Sequence, residues 1–275
     1  MKIIIYSPSY QESSGGITVL HKLCDILIRQ GFDAGFFVNR GEDFYTNSTY
    51  MFKAFSLEDI DTEKDIVVYP EIIFGNPLQC KKVVRYILNV GHVTLGRKDT
   101  WGESDYWVYY SERFYDKLRP AVYLNIIDSK EKYFKDYSLD RNYEECFSYR
   151  KSHEYSTKVI PIHNPDAIEI GFNMSDESLI RIFNSCKRFY CYDTESYLSV
   201  LASLCGCDSI VVPNETVSRD LIMKQFPFEY GIAYGEEEIP LARKSRENLR
   251  KVLQAKELKQ EEEVKNLFNT LCKTL

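Results

Sequence analysis

The chain has 275 residues, 44% hydrophobic and 28% charged, with 35 basic against 41 acidic side chains and a formal charge of -6; disorder and fibrous repeats are excluded, and the length fits one large domain or two compact ones. No global positive field draws such a chain to nucleic acid or anionic lipid, so no nucleic-acid partner is expected. Eight scattered cysteines fit reduced thiols in a cytoplasmic setting, and neither a signal-peptide core nor the roughly 20 apolar residues of a membrane span appears, which leaves only peripheral membrane contact open.

Residues 2–8 (KIIIYSP) read as a short β-branched strand ending in Pro. A polar loop with paired glycines, Gly15 and Gly16, then leads into a helix whose Ile17, Leu20, Cys24, Leu27 and Ile28 share one face. That helix stops at Gly31, a left-handed cap before a strand at 34–38, so a βαβ unit opens the chain. Buried-type strands follow at 65–69, 83–88, 106–110 and 122–127, with little helix between the middle ones. The tyrosine-rich, charged stretch 128–145 reads as a linker, with a boundary near residue 140.

The rhythm restarts with strands at 146–149 and 159–162, a helix at 176–186, a strand at 188–192, a helix at 197–205, a strand at 209–212, a helix at 217–225 and a strand at 230–233. Strands alternating with helices imply a second parallel sheet. The tail 236–275 carries Leu249, Val252, Leu253, Val264, Leu267, Phe268 and Leu271 at helical spacing, giving one or two amphipathic helices. The expected partition is 1–140, 141–235 and 236–275: two Rossmann-like α/β domains and a helical tail. Ligands of such domains sit at the carboxyl ends of the strands.

Several strand ends carry chemistry. Ser13-Ser14-Gly15-Gly16 before a helix lets backbone N–H groups approach an anion at the helix's positive end, although double glycine also starts helices for steric reasons. It is neither the dinucleotide fingerprint nor a P-loop. Asp193, Thr194, Glu195, Ser196 and Tyr197 set acidic and hydroxyl groups at a strand end, where they either hold sugar hydroxyls beside a diphosphate or cap a structural helix. Arg150 and Lys151 end another strand, where two cations neutralise a leaving diphosphate without metal, or form an ordinary exposed pair. His92, after the strand at 83–88, stands where a cleft loop is expected, and His21 reads as a core residue. Asp59-Ile60-Asp61 has the form of a metal-binding DxD but lies in a polar loop, and Cys205-x-Cys207 lacks partners at a zinc spacing, so no metal site is expected.

Three blocks together resemble the metal-independent GT-B glycosyltransferases of the family-four type and their bacterial relatives that build surface polysaccharides: SSGGITVLHKLCDILIRQG at 13–31, YPEIIFGNPLQCKKVVRYILNVG at 69–91 and YDTESYLSVLASLCGCDSIVVP at 192–213. The resemblance implies a GT-B fold, a nucleotide-sugar donor held by the second domain, a glycan or lipid-linked acceptor at the first, no cofactor, a C-terminal helix packing back on the first domain, and retention of anomeric configuration. Carried over, Gly15 and Gly16 face the donor diphosphate, Arg150 and Lys151 hold it, and Asp193, with Glu195, Ser196 and Tyr197, contacts the donor. Glu71 and Asn89 fall on the acceptor side and His92 near the reacting sugar. The family's second acidic position is missing: eight residues beyond Asp193 stands Leu201, and eight beyond Glu195 stands Ser203. That departure keeps a non-catalytic module that binds a nucleotide sugar or glycan for a partner enzyme as the alternative; a sugar-nucleotide epimerase, needing acid and base carboxylates, would have only Glu71 and Glu195.

Overall fold

Three consecutive isoleucines, Ile3–Ile5 (β1), begin a six-stranded parallel sheet in the computed structural model, which describes residues 1–89, 97–115, 117–149, 160–193, 196–215, 218–223 and 225–275. The other strands are Ala34–Phe37 (β2), Ala54–Phe55 (β3), Ile66–Pro70 (β4), Lys82–Ile87 (β5) and Tyr106–Tyr109 (β6), in the order β3-β2-β1-β4-β5-β6. β4 is buried along its whole length, as strands covered on both faces must be. The helix Gly15–Arg29 (α1) buries Leu20, Leu23 and Leu27 against one face of the sheet. It ends where expected: Gly31 has φ +86° with no atom near its missing Cβ, so the left-handed backbone alone calls for glycine there.

Residues 122–127 are not the strand their apolar run predicts. Only a single bridge, Tyr109 to Tyr123, joins them to β6. Their backbone groups find other partners: the Tyr86 hydroxyl donates to the Leu124 carbonyl at 2.6 Å, and both Ile127 groups bond the Gln260 side chain.

The second sheet contains Tyr143–Ser148 (β7), Ile168–Glu169 (β8), Cys186–Cys191 (β9), Asp208–Val211 (β10) and Ile232–Tyr234 (β11), all parallel in the order β11-β10-β9-β7-β8. Its helices are Asp176–Ser185 (α2), Leu198–Leu204 (α3) and Arg219–Met223 (α4). The strand expected at 159–162 is absent over 160–162, where Ile160 and Ile162 are 80% and 50% exposed; the short β8 takes the place beside β7 instead. At the end of α3, Gly206 has φ +81°, where a side chain is strained, and a Cβ there would lie 2.4 Å from an Asp136 oxygen and displace that side chain.

The tail forms one helix, Ile239–Thr274 (α5), and no helix among the described residues is long and apolar enough to cross a membrane. The chain divides into two compact units, 1–128 with 257–275 and 129–256. α5 thus gives its first half to the second unit and its second half to the first, where Val264, Phe268 and Leu271 enter the core beside α1. Composition puts the boundary near 140 because 128–145 is rich in charge, yet those charges bind within the second unit. Lys130 pairs with Asp176 at 2.8 Å, and Arg141 donates to the carbonyls of Phe183, Cys186 and Cys205.

Candidate functional site

Each sheet has one topological switch point, where consecutive connections leave in opposite directions and open a crevice at the strands' carboxyl ends. In the first unit it lies between β1 and β4, and in the second between β7 and β9.

At the first crevice, Ser14 caps α1, its hydroxyl accepting the Ile17 N–H at 3.4 Å. A Cβ on Gly15 would meet nothing within 4 Å, and one on Gly16 would meet only Leu88 Cδ1 at 3.7 Å. Neither glycine has a left-handed φ. Neither backbone geometry nor packing therefore calls for glycine, although each costs the helix about 0.5–1 kcal/mol relative to Ala. What the pair provides is open space on the side-chain side of the backbone at a helix start.

Beside them the Leu88 N–H donates to Glu71 Oε2 at 2.9 Å. Glu71, directly after β4, is buried, and that burial pushes its carboxyl above the usual range against the opposing pull of the Leu88 N–H and the Arg97 charge. Asn89 stands half-buried beyond β5. The structure thus brings Gly16, Leu88 and Glu71 together. His92 lies outside the described residues. His21 is a core residue: its Nε2 lies 3.0 Å from the Pro8 carbonyl, its ring packs on Phe36 and Phe44, and burial holds its pKa below the ordinary value.

At the second crevice, Asp193 is buried just beyond β9. The N-cap of α3 is Tyr197, so Asp193 is not the cap of that helix. The Ser196 hydroxyl accepts the Leu198 N–H at 3.4 Å, and the Tyr197 hydroxyl donates to the Ser129 carbonyl at 3.5 Å. Leu201 and Ser203 are both buried within α3, so no acid replaces the missing one there. Arg150, Lys151, Thr194 and Glu195 lie outside the described residues.

Sequence reasoning misses an aromatic cluster on this second crevice. The His163 ring stacks on Phe147 with centroids 3.8 Å apart, and Tyr149 stacks on Tyr192 at 4.2 Å. His163 Nδ1 lies 2.7 Å from the buried Tyr192 hydroxyl, which also accepts the Ile162 N–H at 2.9 Å. Burial holds the His163 pKa below the ordinary value, opposed by the Glu145 and Glu169 carboxylates. The available signal was the alternation at the strand ends, which puts Phe147 and Tyr149 on one face of their strand and Tyr190 and Tyr192 on one face of theirs.

Among the described residues no group of His, Cys, Asp and Glu is arranged to hold a metal ion. Asp59 and Asp61 act locally instead: Asp59 accepts from the Ser56 N–H and hydroxyl, and Asp61 from the Glu63 N–H.

No protein-family model matches the chain, and no curated protein matches it. Solved structures do. T4 phage beta-glucosyltransferase (BGT) in complex with UDP-glucose aligns with a TM-score of 0.55 and 10% identity over 99% of both chains, and T4 phage BGT with UDP and Mn2+ with a TM-score of 0.53 at 10% identity, again over 99% of both. An alpha-glucosyltransferase in complex with UDP and a 13-mer DNA aligns with a TM-score of 0.53 and 14% identity over 98% of this chain and 99% of that one. The protein therefore has the GT-B fold, two parallel-sheet α/β domains and a C-terminal helix. The likeness is to GT-B glycosyltransferases and does not single out the family-four type. Because these neighbours include complexes with DNA and with Mn2+, the architecture by itself excludes neither nucleic acid nor metal.

Proposed function

We propose that this protein is a glycosyltransferase that moves a sugar from a nucleotide-sugar donor to an acceptor hydroxyl, in polysaccharide assembly and without metal. The observation that carries this reading is the open space where a Cβ on Gly15 or, apart from Leu88, on Gly16 would lie, at the start of α1 and at the switch point of a GT-B sheet, where a helix N-terminus favours an anion. UDP-glucose is the first donor to test, since the fold's solved neighbours bind UDP or UDP-glucose.

In this reading the bond from the anomeric carbon to the diphosphate oxygen breaks as the acceptor oxygen attacks that carbon. The N–H groups at Gly15 and Gly16, with Arg150 and Lys151, take up the leaving negative charge. Asp193, Glu195, Ser196 and Tyr197 hold the donor, and Glu71 and Asn89 orient the acceptor hydroxyl, with His92 near the sugar. Retention is part of the proposal, and the acceptor proton then leaves with the diphosphate. The acceptor is a glycan or a lipid-linked glycan met at a cytoplasmic membrane surface.

The test is turnover against a donor panel with and without Mn2+, offering glycans, lipid-linked glycans and DNA as acceptors and reading the product's anomeric configuration by NMR. Metal-free transfer to a glycan with retention is the expected result. A folded protein that neither binds nor turns over any nucleotide sugar removes the reading. The buried Leu201 and Ser203 favour a second one, a non-catalytic module, whose signature is nucleotide-sugar binding without turnover.

A further inference from the structure

We infer that His163 is a ligand-contacting residue that presents a fixed N–H donor to an acceptor oxygen of the bound nucleotide. The inference rests on the nucleotide-sugar reading and extends it to a residue that reading does not use.

Hydrogen bonding around Tyr192 sets the tautomer. Its hydroxyl has one proton to give, and its oxygen already accepts the Ile162 N–H at 2.9 Å. The acceptor in place for the hydroxyl proton is a ring nitrogen of His163. The Tyr192 proton is thereby directed to His163 Nδ1, 2.7 Å away. A neutral imidazole that accepts at Nδ1 carries its hydrogen on Nε2. That nitrogen has no hydrogen-bond partner among the described residues.

The ring cannot turn freely to spend this donor elsewhere. It lies flat on Phe147, 11° from parallel. The titratable groups around it are Glu145 from β7, Glu169 from β8, and the Tyr149 and Tyr192 phenols. Burial keeps the ring neutral near pH 7 against the pull of the two carboxylates. A half-buried, neutral, oriented donor at the switch-point crevice is suited to an oxygen of a nucleoside diphosphate, either a phosphate oxygen or one on the nucleoside.

The experiment measures affinity of the whole chain for UDP-glucose and for inorganic pyrophosphate by thermal shift between pH 5.5 and 8.5. It uses wild type, His163→Ala, His163→Gln and Tyr192→Phe, with the ligand-free melting temperature confirming each fold. UDP-glucose suits the pH series because both its phosphates stay ionised throughout. Loss of about tenfold in UDP-glucose affinity in His163→Ala is expected, with recovery in His163→Gln, whose amide also donates, and an intermediate loss in Tyr192→Phe. If the oxygen belongs to a phosphate, pyrophosphate binding falls as well and wild-type affinity rises with falling pH, because the anion raises the imidazole pKa. If it belongs to the nucleoside, pyrophosphate binding is unchanged. Wild-type binding of UDP-glucose that survives His163→Ala undiminished overturns the inference and leaves the glycosyltransferase reading standing. Absence of any wild-type nucleotide binding removes both.

Discussion

Gln260 bonds both backbone groups of Ile127: its Oε1 accepts the Ile127 N–H at 2.8 Å and its Nε2 donates to the Ile127 carbonyl at 3.0 Å, with the glutamine fully buried. A side chain from α5 thus plays the part that a neighbouring strand would play. Gln260→Leu leaves one buried donor and one buried acceptor unpaired, each costing about 1–3 kcal/mol. Urea unfolding should show a lower midpoint with an unchanged slope; a midpoint equal to wild type would mean that water or a rearranged loop replaces the amide.

Gly15→Ala separates stability from function. The added methyl meets no protein atom, and alanine is the better helix former, so the variant should be as stable as wild type or up to about 1 kcal/mol more so. Nucleotide-sugar affinity or turnover should nevertheless fall about tenfold, because the methyl occupies the space a diphosphate needs. Unchanged binding in the variant would detach this loop from the donor.

Glu71→Gln tests a buried carboxyl. Its folded pKa is raised, so the stability it contributes is complete below the unfolded value of about 4.3 and is lost as pH rises through the folded value. The amide keeps an acceptor for the Leu88 N–H and has no charge to desolvate. Melting temperatures at pH 4 and 7.5 should therefore show a gain for the variant at the higher pH only, and the acceptor-side role proposed for Glu71 further predicts a turnover about tenfold lower.

Asp208 works in the opposite sense. Burial raises its carboxyl, but hydrogen bonds from Arg243 and Arg246 outweigh that and hold it below the usual carboxylate range. Its contribution is complete above the unfolded value of about 3.9 and is lost as pH falls through the folded one. Asp208→Asn should lower the melting temperature at pH 7 and flatten the acid limb of its pH profile. A wild-type acid limb in the variant would place that limb in other carboxylates.

How far the sequence could be read follows from the distance between partners. The βαβ opening was legible because α1 shows its apolar face within one turn-repeat and Gly31 marks its end. Residues 122–127 misled because their apolar run matches a strand, whereas the group that satisfies Ile127 lies 133 positions away. The charged stretch after residue 128 looked like a linker because composition does not reveal that Arg141 is committed to three carbonyls. At the site, Gly15, Gly16 and Glu71 were visible as residues at strand ends. The pairing of His163 with Tyr192 was not, since 29 positions separate them and the histidine follows an irregular, exposed run.

The division of α5 between the units has a consequence for synthesis. Val264, Phe268 and Leu271 complete the core around α1, yet they emerge from the ribosome after the whole of residues 129–256. The core of the first unit is therefore complete only when this last stretch of the chain has been made, although α1 has its sheet to pack on before then. The second unit, continuous in the chain, thus has all of its residues before the first has all of its own, the reverse of the order in which the two units begin.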